Sequence, residues 1–414
     1  MERCRVYPLE CISWTGRSFF EVLEAIRLSA AGAERLGNKP GHLSVYLSNV
    51  CNLACSYCYV AVNQGPPARL SWPDLKGGID TFLGESVESS RRVTFLGGEP
   101  LIDFPLLRQA VLYLRGEQPD ISLAVFTNGT MLDRPKADFL LEQRVRVVVS
   151  LDGKAQTNDA ARRFANGSGA SVFAAISERL RELPVERLEV NMVFEPARVG
   201  RLADDVFFLH GLGFRSFGFY PDLYGDWTEA AVGRLRRALA VLSRRFLGRL
   251  GAGGAPPFVL RDLPLAAQRS ENADWWRQCG NLVLGGDGAF YSCDKALSFP
   301  FDKAREASVG KVGRGVDWTA REEAHRVAGE EIDRLAPGQK FLHCPMGTHF
   351  HSRLSGRETG ASVAAFARVN EALSAFYETL SARLRAHGEG FRGATAPRTA
   401  TGEPGRPAAS RRRR

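Results

Sequence analysis

No stretch of this 414-residue chain is apolar for long enough to cross a bilayer. Its opening, Met1-Glu-Arg-Cys-Arg-Val-Tyr-Pro, lacks the apolar core of a signal peptide. No solenoid period recurs, and no aromatic-basic motif for nucleic acid is present. The absences argue against a membrane span, a repeat array and specific nucleic-acid binding, and the cytoplasm is the expected location. In that compartment the eight cysteines read better as metal ligands than as disulfides. The net charge of +9 hints at a polyanion partner. However, residues 388–414 carry seven arginines and two glutamates, so they supply +5 of it. Rich in Pro, Gly, Ala and Thr, that tail cannot bury a core and is expected to be disordered. The whole chain is 44% hydrophobic and 24% charged, the balance of an ordinary globular protein.

What is present is concentrated. Cys51-Asn-Leu-Ala-Cys55-Ser-Tyr-Cys58 sets three thiols within eight residues. A structural zinc site brings two CxxC-like pairs, and a bacterial ferredoxin run is tighter and adds a cysteine before proline. Here no fourth cysteine lies nearby. Three thiolates on an iron–sulfur cube leave one iron without a protein ligand. His42 to Ser48 reads as a strand, and Asn49 and Asn52 signal a turn, so the thiols fall on a loop after a strand. The spacing resembles the signature of the radical S-adenosylmethionine (radical SAM) enzymes, and Tyr57 matches the aromatic that precedes the last cysteine there. The resemblance implies a [4Fe–4S] cluster whose open iron chelates SAM, and a 5′-deoxyadenosyl radical on one-electron reduction.

Further strands are expected at 92–96, 121–126, 145–150, 188–193 and 214–220, with helices at 71–83, 103–114, 136–143, 170–183 and 201–212 between and after them. Such βα alternation implies parallel strands under helices, with sites at the strands' C-terminal ends. The units resemble the partial (β/α)6, TIM-like barrel of the same family. The expected organisation is an N-terminal extension at 1–40, the barrel at 41–225, and an Arg-rich helix and linker at 226–270. An auxiliary module follows at 271–355, then a C-terminal helix at 356–387 and the tail.

Other motifs sit at the expected strand ends. Gly97-Gly98-Glu99-Pro100 resembles the family's GGEP, whose backbone and glutamate meet the SAM amino group; paired glycines permit close backbone approach. Thr127-Asn-Gly-Thr130 matches a family turn. Ser150-Leu-Asp-Gly153, followed by Asn158-Asp159-Ala-Ala-Arg162, Phe164 and Asn166-Gly-Ser, resembles the stretch of the peptide-modifying and sulfatase-maturing branch. That resemblance implies Ser150 against the SAM ribose or carboxylate and Arg162 on the carboxylate, where a guanidinium fork fits. Asn191 falls where the family often places a SAM-contacting polar residue.

Cys279, then Gly288-Ala-Phe-Tyr-Ser-Cys293, resembles the opening of SPASM and twitch extensions, with the glycine turning a hairpin. Cys344 is the third candidate ligand. The dense later cysteine run of a full SPASM domain is lacking, so one auxiliary [4Fe–4S] cluster is expected. Its fourth iron is open or is held by His343, His349, His351, Asp294 or an N-terminal thiol. Cys4 and Cys11 read as plain thiols, and Trp275 and Trp276 as packing. The catalytic residue itself is not legible. The resemblance implies hydrogen abstraction from a peptide, giving a crosslink, thioether or oxidised product, with a flavodoxin- or ferredoxin-type electron donor. The alternative is the same chemistry on a small natural-product precursor, which the short N-terminal region favours. An electron-transfer protein is the third reading, and it has no need of GGEP or Arg162.

Overall fold

The computed structural model describes residues 40–395 apart from 87–90, 251–255, 264–265, 267–268, 270–274 and 356–357. The expected N-terminal extension to residue 39, with Cys4 and Cys11, and the tail from 396 lie outside the described residues.

Strands and helices alternate as expected. The order is β1 (His42–Tyr46), α1 (Trp72–Glu85), β2 (Arg92–Leu96), α2 (Phe104–Glu117), β3 (Ser122–Thr127), α3 (Arg134–Glu142) and β4 (Val145–Ser150). It continues with α4 (Ala155–Ala161), α5 (Val172–Leu180), β5 (Glu189–Phe194), α6 (Leu202–Gly211), β6 (Ser216–Pro221) and α7 (Glu229–Leu247). Local chemistry sets the helix starts. The Ser71 hydroxyl accepts from Asp74 N at 3.2 Å, and Pro73 occupies the first turn. Asp133 caps α3 in the same way, so that helix begins ahead of Pro135 rather than after it. Ser171 and Thr228 cap α5 and α7. The short helix α4 was not expected; residues 155–161 carry too little apolar periodicity to announce it.

Strands β1 to β6 pair in parallel and in sequence order. Alternation along each strand divides the sheet into two faces. Leu43, Val45, Val93, Phe95, Val125, Val147, Val149 and Val190 are fully buried in one core with Leu75, Phe82 and Leu107 of the covering helices. The opposite face carries Ser44, Thr94, Arg146, Glu189, Asn191 and Tyr220. It lines a lumen, and several of its residues are only half-buried.

The sheet does not close. A two-residue strand β7 (Val259–Leu260) extends it beyond β6. At the other edge β8 (Asn281–Leu284) pairs in parallel with β1, and β9 (Ala289–Tyr291), β10 (Ser308–Lys311) and β11 (Gly315–Val316) follow antiparallel. The expected hairpin therefore prolongs the barrel sheet, and the open edge of β1 is covered, as an exposed edge requires. Helices α8 (Trp318–Leu335), α9 (Met346–Ser355) and α10 (Thr359–Thr395) complete the chain, with α10 packed on α7 and α9. Helix α10 runs past the expected end at 387. A glycine such as Gly388 costs about 1 kcal/mol in a helix interior without forbidding it, and the first proline comes only at Pro397.

Leu284 is fully buried in the barrel core and lies against Gly78 of α1. Leu284→Ala should lower the unfolding free energy of the whole chain by about 2–5 kcal/mol in one cooperative denaturant transition. A separate early transition for the hairpin would show instead that it folds apart from the barrel.

Candidate active site

The Cys51–Cys58 loop follows β1 and has no regular structure, so its backbone groups need partners elsewhere. Four sequence segments supply them. Gly98 N and Glu99 N donate to the carbonyls of Ser48 and Val50 at 2.8 and 3.0 Å. A Cβ on Gly98 would stand 2.0 Å from the Val50 carbonyl oxygen, and Gly97 has φ +141°. The paired glycines thus admit the cysteine loop itself. Ala54 N and Ser56 N donate to Arg163 O and Ala161 O, and Ala165 N donates to Asn52 O. The Asn52 amide donates to Thr130 Oγ1 and accepts from the Asn128 amide, both at 2.8 Å. Asn63 grips Cys51, accepting from its N–H at 3.0 Å and donating to its carbonyl at 2.9 Å.

Glu99 is buried beneath this loop. Its Oε1 accepts from Leu101 N and the Thr127 hydroxyl, and Oε2 from Asn128 N at 2.7 Å. Burial pushes its carboxyl up to about 7 against these three donors. Arg162 is also buried, and Nε and Nη2 fork onto the two oxygens of Asp152 at 2.9 Å each. The Tyr57 hydroxyl donates to the same carboxylate, and the Arg162 guanidinium lies 5.3 Å from the centre of the Tyr57 ring. Val193 N also donates to Asp152. Arg162 and Tyr57 are therefore locked to Asp152, which sequence reasoning quoted within its motif and gave no role. Ser150 and Asn191 stand side by side in the register of β4 and β5, half-buried on the lumen face. Asn191 Oδ1 accepts weakly from Arg261 at 3.5 Å.

The three loop thiols are half-buried. Burial pushes Cys51 up to about 12 and Cys55 up to about 11, with Arg162 pulling Cys55 down. Cys58 is also raised by burial, while Arg162 and Lys295 pull it down. Metal loading must therefore displace protons here.

The other three cysteines gather beyond the hairpin. Cys279 precedes β8 and Cys293 follows β9, while Cys344 enters from the loop before α9. Gly288, at φ +74°, turns the hairpin. Burial raises all three thiols, Cys279 bears electrostatically on Cys344, and Cys344 on Cys293. Among the described residues no three His, Cys, Asp or Glu approach closely enough to hold a single metal ion. A lone zinc draws thiolates to about 2.3 Å, whereas a cube takes one thiolate per iron and spaces them more widely. The thiol sets, with cations beside them, fit an anionic cluster better than an ion.

Of the residues considered for a fourth ligand, His349 is held by Glu331 at 2.6 Å. His351 stacks on Tyr224 at 3.6 Å, and Asp294 pairs with Lys295 at 2.9 Å. His343 is buried with Nε2 unpartnered. Trp276 packs edge-on against Phe341, and Trp275 Nε1 donates to Phe341 O, in keeping with a packing role.

Residues 45–196 match the Radical SAM superfamily. These residues are a radical SAM domain. The serine-type anaerobic sulfatase-maturating enzyme of Klebsiella pneumoniae is 24% identical over 266 residues, 60% of this chain and 66% of that protein. The GTP 3′,8-cyclase of Synechococcus sp. strain CC9605 is 33% identical over 149 residues, 34% of this chain and 41% of that protein. The chain thus spans between two fifths and two thirds of these relatives' lengths. The solved structure of native anSMEcpe with bound AdoMet and Cp18Cys peptide superimposes with a TM-score of 0.63 at 16% identity, covering 84% of this chain and 99% of that one. The superposition covers more of this chain than the radical SAM domain alone. No helix among the described residues is long and apolar enough to cross a membrane.

Two outcomes follow from the buried acids. Glu99 binds its proton more tightly folded than unfolded, so stability of the metal-free protein should fall as pH rises from 4.5 to about 7. The loss should reach about 3 kcal/mol at 1.36 kcal/mol per pKa unit, and denaturant titrations at several pH values should find it flattened in Glu99→Gln. Asp152→Asn should cost about 3–5 kcal/mol, because it leaves the Arg162 charge buried and unpaired. A loss below 1 kcal/mol would mean that water reaches Arg162.

Proposed function

We propose that this chain is a radical SAM enzyme acting on a peptide or protein substrate. The observation that carries the reading is the loop after β1: three half-buried thiols held in place by the GGEP, TNGT and 161–165 segments. Cys51, Cys55 and Cys58 would hold a [4Fe–4S] cluster and leave one iron for SAM. Bound there and reduced by one electron, the pair supplies a 5′-deoxyadenosyl radical. The chain's own residues bind and orient. The Gly97–Pro100 backbone and Glu99 would face the SAM amino group, for Glu99 Oε2 accepts one protein donor and has a lone pair to spare. Ser150 and Asn191 would line the nucleoside. Arg162, fixed by Asp152 and set over the Tyr57 ring, would keep positive charge beside Cys55 and the SAM carboxylate. Cys279, Cys293 and Cys344 would hold one auxiliary [4Fe–4S] cluster, and a flavodoxin- or ferredoxin-type protein would supply electrons.

The extent of similarity favours a peptide over a small molecule. The match to the Synechococcus cyclase has about the length of the radical SAM domain, and a second cyclase matches over 222 residues. The match to the Klebsiella sulfatase-maturating enzyme extends to 266 residues, and a maturase by its name acts on a protein. The cyclase supports the second reading, a small natural-product precursor.

The reconstituted full chain should hold two [4Fe–4S] clusters by iron analysis and Mössbauer spectroscopy. Changing Cys51, Cys55 and Cys58 together to Ala should leave one cluster and abolish reductive SAM cleavage. A single cluster in the unmodified protein would remove the auxiliary site, and SAM cleavage by the triple variant would remove the first.

A further inference from the structure

The lumen wall opposite the cysteine loop holds a second polar group that the reading above leaves without a task. Tyr220 closes β6 and is 40% exposed, the most open aromatic of the sheet. Its ring lies 5.0 Å from that of His343. The charges bearing on its hydroxyl are Asp262, Arg261, Arg269 and Arg146.

Most of these are already committed. Arg146 forks onto Glu189 with two bonds of 2.8 Å, and Arg261 reaches the same carboxylate at 2.5 Å and Val190 O at 2.9 Å. Asp262 accepts from Phe219 N. Arg92 also bears on Arg269 from β2, and it has partners of its own. Arg269 differs. It stacks on Trp275 at 3.7 Å and donates to Leu342 O, but no carboxylate pairs with it among the described residues. His343 Nε2 is buried without a partner, and its ring senses Asp262 and Arg269. A cation that no carboxylate pairs and an imidazole nitrogen without a partner are costly at such burial unless a ligand meets them.

The geometry points to a carboxylate seat formed by Arg269, Tyr220 and His343, which would hold an acidic group of the substrate beside the auxiliary thiols. Arg269 bears on Cys344 as well as on Tyr220, so the seat adjoins that site. Arg146 and Arg261 share the one carboxylate of Glu189, and the charge left over offsets Asp262, so Arg269 leaves one positive charge for a monoanion, and a planar fork suits a carboxylate. The inference deepens the proposed function, since it names what the substrate must carry: a chain-terminal or side-chain carboxylate.

The test is isothermal titration calorimetry on the reconstituted full chain with acetate, N-acetylglycine, N-acetylglycinamide and inorganic phosphate, with SAM titrated in the same preparations. Acetate and N-acetylglycine should bind and the amide should not. Arg269→Gln should weaken acetate by about ten- to a hundredfold, the loss of a charge-assisted bond. Tyr220→Phe should weaken it by about three- to tenfold through a neutral bond, and this variant decides if Arg269→Gln fails to load iron. Unchanged acetate affinity in the iron-loaded variants, no acetate binding by the unmodified protein, or phosphate binding in its place would each overturn the seat. A protein that binds SAM but not acetate sinks only the seat, whereas one that binds no SAM sinks the reading of the first site.

Discussion

The Cys51–Cys58 loop must hold three thiols in fixed relation with no helix or strand to do it. A loop at a buried site can keep its shape only if its backbone donors and acceptors are met from outside. Here the meeting partner is chiefly another backbone. The Ser48 and Val50 carbonyls accept from Gly98 and Glu99, at an approach that any side chain on Gly98 would block. The remaining segments then close on the loop from the β3 and β4 ends. A parallel sheet brings just these strand ends together, so sequence segments separated by dozens of residues become one shell.

Burial in that shell keeps the loop thiols protonated until metal arrives. Burial raises all three loop thiols, and Arg162 is kept charged at depth chiefly by Asp152. Charges of this kind are stabilising when satisfied and costly when one partner goes. Iron in a cluster would displace the thiol protons to solvent, and Arg162 and Lys295 would then face the negative charge of the thiolates. Glu99 works differently, as a buried acceptor tying the turn after β3 to the loop after β1.

The fold and the first site were legible because both rest on local signals. Six strands showed as short β-branched runs, and caps such as Ser71 and Thr228 preceded their helices. The cysteine spacing and the glycine pair are local too. What escaped depends on distant partners. Asp152 looks like a turn residue until Arg162 and Tyr57 arrive on it. Helix α4 has no apolar stripe; Thr157 bonds Asp205, the buried Asn158 accepts from Asp152 N, and Ala161 O accepts from Ser56 N of the cysteine loop. Nothing near Val259 or Asn281 indicated that these would extend opposite edges of one sheet, since strand pairing is decided by register across hundreds of residues. Pro135 marked the first turn of α3, and a reading that began after it was too late.

The pairing of β8 with β1 has a consequence for the relation between the two thiol sets. Cys51 follows β1 and Cys279 precedes β8, so a parallel ladder from His42–Asn281 to Val45–Leu284 fixes their separation along the sheet. Side chains reinforce it. The Tyr46 hydroxyl, at the end of β1, bonds Tyr59 at 2.6 Å and Asp294 at 3.3 Å, and Lys295 stands over the Tyr59 ring at 3.6 Å. Tyr59 follows Cys58, and Asp294 follows Cys293. Each thiol set is thus joined to the other through one buried tyrosine on the strand between them, and Lys295 acts on a thiol of each. Two sites tied through one sheet and one hydrogen-bonded run cannot drift apart without breaking β1 itself, the strand on which the cysteine loop depends.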